Sequence, residues 1–189
     1  AEALEVLESQ TYVQRNGIAY EYLTNEEQEI EQEIKNVDID TSEVAKLLFG
    51  IISGDIVKSR SFPHNNTGQQ FQFGFKLDEV AQGIQKPLTV HFMSPLSGLN
   101  ETEIAAHSMG LDEVRIVLAN DEKLYEDLRL QIQTEKYAKR KRSTSLTESV
   151  SHILDTKVQH NAFRRKDLVD RIRKAIQDGY LVVNGTKLN

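Results

Sequence analysis

The residues best suited to chemistry in this chain are basic, and they cluster late. Lys136-Tyr137-Ala138-Lys139-Arg140-Lys141-Arg142 is the densest positive run. Its cations suit phosphate contacts, and Tyr137 offers a ring for a base to stack on. Arg164-Arg165-Lys166 and Arg171, Arg173 and Lys174 extend that surface if the helices carrying them are neighbours. A plainer role competes: cations in a last helical turn also offset the helix dipole. Arg15, on a hairpin near the start, is a further candidate for a nucleic-acid or partner contact, although the acidic helix after it would repel phosphate.

Catalytic arrangements are harder to build. The five histidines, His64, His91, His107, His152 and His160, follow no metal-ligand spacing, and cysteine is absent. His152 and His160 can share a helix face, but two ligands make no site. Ser108 and Asp112 lie near histidines without the G-x-S-x-G elbow that would make a nucleophile of the serine. Glu26 to Glu33 reads as a solvated helix face. No G-x-x-x-x-G-K-[ST] run occurs, so no loop of amides stands ready for a nucleotide phosphate. The expected sets of catalytic, cofactor-binding and metal-ligating residues are therefore empty, and no cofactor is expected.

The elements that must carry these residues are legible in the pattern. Ala1 to Ser9 is a good helix former. Tyr12 to Arg15 and Ile18 to Leu23 are β-prone runs around Asn16-Gly17, the pair that best tolerates a two-residue type I′ turn. Thr24 and Glu27 form a capping-box pattern opening a thinly apolar helix to about Lys35. Asp40-Thr41-Ser42-Glu43 opens another, with Val44, Leu47, Leu48, Ile51 and Ile52 at helical spacing; close packing on a sheet would account for Gly50 and Gly54 within it. After a breaker-rich loop, Phe62 to Gly68, the run Gln70 to Leu77 alternates, placing Phe71, Phe73, Phe75 and Leu77 on one face. Leu88 to Met93 and Glu113 to Ala119 are further strands. A long polar helix from Leu124 to about Lys141 follows, then helices over Leu146 to His160 and Asp167 to Gln177, and a strand over Tyr180 to Val183.

Helix, hairpin and acidic helix in that order build the end of a winged-helix unit. The residues of that stretch carry a family likeness. Tyr12 to Asn16, Glu21-Tyr22, Leu23-Thr24, Glu26-Glu27-Gln28 and Ile30 to Ile34 resemble a segment of the P-loop ATPases of BREX phage-defence systems, the BrxC/PglY family. Asn161 to Gly185, an Arg-rich helix followed by a short apolar strand, is similar in shape to that family's later regions. The resemblance implies an antiviral-defence ATPase as the parent. With no P-loop in this chain, the nucleotide site is expected outside the fragment.

Composition sets the remaining bounds. The 189 residues suffice for one large or two small domains, with 39% hydrophobic and 28% charged residues. No apolar run of membrane-spanning length is present and no signal peptide opens the chain, so an intracellular, cytoplasmic protein with no membrane partner is expected. The N-x-[ST] matches at Asn65, Asn100 and Asn184 then carry no glycosylation meaning. The net charge of −6 hides a division: residues 133–189 hold 13 Lys or Arg against 6 Asp or Glu, whereas residues 1–132 hold 10 against 23. That step suggests an internal boundary and a surface for a polyanion or an acidic partner.

The expected fold is α+β: a winged-helix tail over 1–36, a small mixed α/β module on a three- or four-stranded sheet over 37–120, and a basic helical region over 121–189 ending in a short strand. The expected function is a non-catalytic regulatory or interaction fragment, coupling nucleotide-driven changes made elsewhere to contacts. Its expected partners are other domains of the parent protein, other defence-system proteins, and DNA through the basic C-terminal third. Two alternatives stand beside it. One is a stand-alone winged-helix DNA-binding regulator; the other is an enzyme whose site would gather His64, His91 and carboxylates near the 62–68 loop.

Overall fold

A computed structural model describes residues 2–16 and 19–188. The chain forms two compact units, each assembled from two stretches of sequence: 1–44 with 123–168, and 45–122 with 169–189. The units therefore part at 44/45 and not at the loop near residue 36, and again at 122/123, beside the charge step, with a further limit at 168/169 that the pattern did not mark. The chain leaves the first unit and later returns to it, and the last strand is needed by the second.

The first unit is mostly helical. Helix α1 (Glu2–Ser9) leads into an antiparallel hairpin of β1 (Val13–Asn16) and β2 (Ala19–Tyr22), with Val13 opposite Tyr22 and Arg15 opposite Tyr20. The tip at Gly17 and Ile18, including the turn expected at Asn16-Gly17, lies outside the described residues. Helix α2 (Asn25–Lys35) starts with the expected box: the Thr24 side chain accepts from the Glu27 amide while Glu27 accepts from the Thr24 amide. Its two isoleucines, Ile30 and Ile34, are buried with Tyr137, Ile153 and Leu154. These last belong to α5 (Glu122–Lys141) and α6 (Glu148–Gln177). So a helix with only two apolar positions still docks, because both lie on one face four residues apart.

Helix α6 runs unbroken for 30 residues, where two helices separated by 161–166 were expected. No Gly or Pro interrupts 148–177, and Asn161 donates to the Gln131 carbonyl instead of competing for its own backbone.

The second unit is a sheet with helices. Strands β3 (Ser61–Pro63), β4 (Gln70–Leu77), β6 (Leu88–Met93), β7 (Glu113–Val117), β8 (Tyr180–Val183) and β9 (Thr186–Leu188) lie in that order, and β5 (Val80–Gln82) pairs with β4 beside β3. The three central strands β4, β6 and β7 are parallel; the outer pairings are antiparallel. The sheet is wider than the three or four strands expected from residues 40–120. Short edge strands of three residues give almost no periodicity, and β8 comes from the region expected to be a separate helical segment. The Phe62 to Gly68 loop likewise shrinks to a hairpin connection, since Phe62 and Pro63 pair with Phe71 and Gln70.

The pleat sorts the sheet into two faces. One carries Phe75, Leu77 and Phe92, all buried, with Phe49 of α3 (Thr41–Ile51) edge-on to Phe75 at 5.7 Å. Leu48 and Ile51 of α3, and Ile52 just after it, are buried too. The other face packs Met93, Val117 and Val182 under Ile104 of α4 (Glu101–His107).

Two glycines permit close approach to neighbouring backbone, and neither is Gly50 or Gly54. A Cβ on Gly74 would stand 2.9 Å from the Lys86 amide, and one on Gly179 would stand 2.0 Å from the Val117 carbonyl oxygen. Gly50 and Gly54 face open space, so the packing expected of them is absent.

Candidate functional site

In the first unit the basic residues are drawn onto carboxylates. Arg15 reaches both oxygens of Asp127, at 3.1 and 2.9 Å, with Glu8 3.8 Å away. Lys136 lies 2.7 Å from Glu43, whose carboxyl it holds below the ordinary value. Tyr137 is 1% exposed and donates to Glu33 at 2.7 Å. Lys141 approaches the same carboxylate at 2.8 Å, so Glu33 is held below its ordinary range by Lys141 first and Tyr137 second. Burial, then Glu33, pushes the Tyr137 hydroxyl well up. A ring so enclosed has no free face for a base, which removes the stacking role expected of Tyr137.

The rest of the run is less committed. Arg142 pairs with Asp155 at 2.7 Å. Arg140 lies over the Tyr137 ring, 5.7 Å from its centroid, and Lys166 lies over Phe163 at the same distance. Lys139 is exposed and has no ion pair among the described residues. Arg164 donates to Asn161, and burial draws its guanidinium below its usual value, Asp127 and Glu31 opposing. Arg165 is half-buried beside it on α6. Thus most of the run forms ties within the unit, and the exposed cations are Lys139, Arg140, Arg142 and Lys166. Beneath them lies a pair that the pattern gave no hint of: buried Lys157 meets Glu31 at 2.6 Å and also donates to Gln14.

A second polar group is buried in the second unit, on the α4 side of the sheet. The register aligns Lys76, His91, Arg115 and Val182 across β4, β6, β7 and β8. Glu113 accepts from Arg115 Nε at 2.7 Å, Lys76 Nζ at 3.1 Å and His91 Nδ1 at 3.3 Å. Burial raises the Glu113 carboxyl, but these three donors outweigh it and hold the group below its ordinary range. Arg115 also donates to the carbonyls of Ile104 and His107, and lies 2.9 Å from the Glu79 carboxylate.

His91 is tautomerically fixed. Its Nε2 accepts from the Glu79 amide at 3.0 Å, so the ring proton sits on Nδ1 and points at Glu113. Burial keeps the ring neutral by lowering its pKa, against the pull of Glu113. With both nitrogens engaged, His91 has no lone pair to offer a substrate. The network instead pins the β4–β5 turn, where Asp78 and Glu79 both adopt positive φ, 47° and 65°. Asp78 accepts from the Ser94 amide and hydroxyl, each at 2.6 Å. His64 sits beyond Gln70, at the opposite end of β4 from His91's partner Lys76, so the two histidines are not brought together. One sequence signal for this network exists: Glu113 and Arg115 fall at inward positions of an alternating strand, two residues apart.

The sheet's opposite face bears a hollow of about 540 Å³. Phe62, Phe73, Leu111, Val114 and Val183 line it, with Asp112 at its side. Its rim is braced: the Gly110 amide donates to Asn184 Oδ1 at 2.9 Å, and the Gly185 amide to Ser108 Oγ at 2.7 Å. Phe62, Leu111, Leu181, Val183 and Leu188 remain 37–47% exposed. Among the described residues, no three His, Asp or Glu groups are placed to hold a metal ion, and no helix is long and apolar enough to cross a membrane.

The second unit is thus an α+β domain whose main sheet path has six strands, polar behind and partly open in front. The chain belongs to the family described as "BREX ATP-binding protein BrxC 4th domain with six-stranded beta sheet", whose model matches residues 37–189. It is part of a BREX ATP-binding protein. The match leaves out Tyr12 to Ile34 but takes in the sheet and the other stretch that carries the likeness, Asn161 to Gly185. No solved structure matches the chain.

Proposed function

We propose that this chain is a non-catalytic contact element of a BREX defence ATPase, passing changes made at a nucleotide site elsewhere in the protein to its protein partners. The observation that carries this reading is the apolar sheet face left open by Phe62, Leu111, Leu181, Val183 and Leu188. Apolar side chains grouped on one face favour a protein contact over a solvated surface. The buried network behind the sheet supports it differently, since His91, Glu113 and Arg115 are engaged with one another and hold the sheet's shape.

The test uses the full-length protein with Leu181→Asp and Val183→Glu together. ATP hydrolysis should persist while co-purification with the other proteins of the defence system is lost. Unchanged co-purification would remove the reading.

A second reading, contact with DNA, rests on Lys139, Arg140 and Lys166, exposed on α5 and α6 of the first unit, two of them beside aromatic rings. It takes in the winged-helix alternative, with the β1–β2 hairpin as its wing. Duplex binding that weakens with salt and disappears in Lys139→Ala/Arg140→Ala/Lys166→Ala would support it. Binding that is absent at low salt would exclude it.

A further inference from the structure

The hollow on the sheet face has the charge pattern of a selective site. Its walls are apolar, and its volume of about 540 Å³ falls within the range of sites that enclose several side chains or a small ligand. Two acidic residues border it, and they differ. Glu113 turns to the opposite face, where Arg115, Lys76 and His91 neutralise it. Asp112 is exposed, and its carboxylate has no side-chain or backbone partner among the described residues; only its carbonyl is used, by the Thr89 amide. No Lys or Arg lines the hollow. The site therefore presents one uncompensated negative charge beside an apolar pit.

The pit is also held open. Asn184 and Gly185 adopt positive φ, 45° and 78°, in the β8–β9 turn, and Gly110 does so at 73°. The amides of Gly110 and Gly185 are fastened to Asn184 Oδ1 and Ser108 Oγ, and Ser108 itself is fully buried. A rim fixed in this way loses little conformational freedom when it is filled.

We infer that this hollow receives a short segment of a partner protein in which an aromatic or branched apolar side chain is flanked by Lys or Arg, the apolar group filling the pit between Phe62, Val114 and Val183 and the cation pairing with Asp112. This deepens the contact reading above and rests on it.

The test follows amide shifts of the isotope-labelled chain on adding a capped Leu-Arg-Phe-Arg-Leu peptide, beside its counterpart with Glu in place of Arg. The basic peptide should shift Leu111, Val114 and Val183, and bind about fivefold more tightly than the acidic one, the scale of one exposed ion pair. Asp112→Asn, a change at an exposed position, should erase that preference, and Val183→Glu should abolish the shifts. Equal binding of the two peptides, or no shifts from either, overturns the inference. So does a dependence of the same shifts on the chain's own concentration, which would make the occupant a second copy. If Leu181→Asp with Val183→Glu still breaks assembly of the full-length protein while the peptides show no preference, the contact reading stands and the cationic partner alone is removed.

Discussion

The two units differ in where most of their charge lies. In the first, one pair is buried, Lys157 with Glu31, but most lie nearer the surface: Arg15 with Asp127, Lys136 with Glu43, Lys141 with Glu33 and Arg142 with Asp155. Most of these side chains remain partly solvated, so each pair contributes modestly and weakens in salt. In the second, Glu113 and Arg115 are 2% and 1% exposed and joined by His91 behind a sheet. There each member protects another from being an unpaired buried charge, and the loss of one is costly. A dense run of basic residues is thus a poor guide to a binding surface when acidic helices stand beside it. The open apolar face of the second unit, which no run of like charge marks in the sequence, is the better candidate.

Breaking the buried network should have the largest effect. Arg115→Met leaves Glu113 buried beside only Lys76 and His91, and should cost about 3–5 kcal/mol in urea unfolding. The matched change in the first unit, Arg142→Met, should stay within about 1 kcal/mol. Similar losses at the two sites would erase the distinction.

Next is Gly179→Ala, where a methyl would be driven against the Val117 carbonyl. Thermal unfolding should show a loss of about 3 kcal/mol, the upper end for overpacking. Gly54→Ala, facing open space, should change stability by no more than about 1 kcal/mol.

A smaller effect concerns pH. The folded-state pKa of His91 is lowered, so its contribution is fully present above the unfolded value of about 6.5 and is lost as pH falls toward the folded one. Glu113 is depressed too, and acts in the same direction at lower pH, below its ordinary 4.5. Chemical denaturation should therefore show the second unit weakening between pH 7 and 5. His91→Gln should flatten that slope. A slope unchanged by the substitution would place the titrating group elsewhere.

The smallest effect should come from Lys141→Ala in 0.5 M salt, where the pair with Glu33 is screened and stability should shift by less than about 0.5 kcal/mol. A larger loss would mean that Lys141 anchors the Tyr137 hydrogen bond and is more than a surface partner.

The sequence made the long elements legible for a physical reason. Gln70 to Leu77 alternates because β4 has one face against a core, and Thr24 with Glu27 marks α2 through local hydrogen bonds alone. Strands of three residues, β3, β5 and β9, are held by their neighbours' edges and leave no period to read. The joining of β8 to β7, with α5 and α6 between them in sequence, is a long-range pairing that local pattern does not encode. The same limit hid the site. Lys139 and Arg140 were visible as charge, but Glu33, Glu43 and Asp155 as their neighbours' partners were not. The hollow was invisible because its walls come from five separate segments brought together by the sheet.

Hydrogen–deuterium exchange on the full-length protein, with and without the other proteins of its defence system, tests the central claim most directly. The account predicts slowed exchange around Phe62, Gly110 to Val114 and Leu181 to Leu188, with residues 136–142 and 163–166 unaffected. Protection confined to 136–142 and 163–166 would contradict it and return the contact to the basic helices.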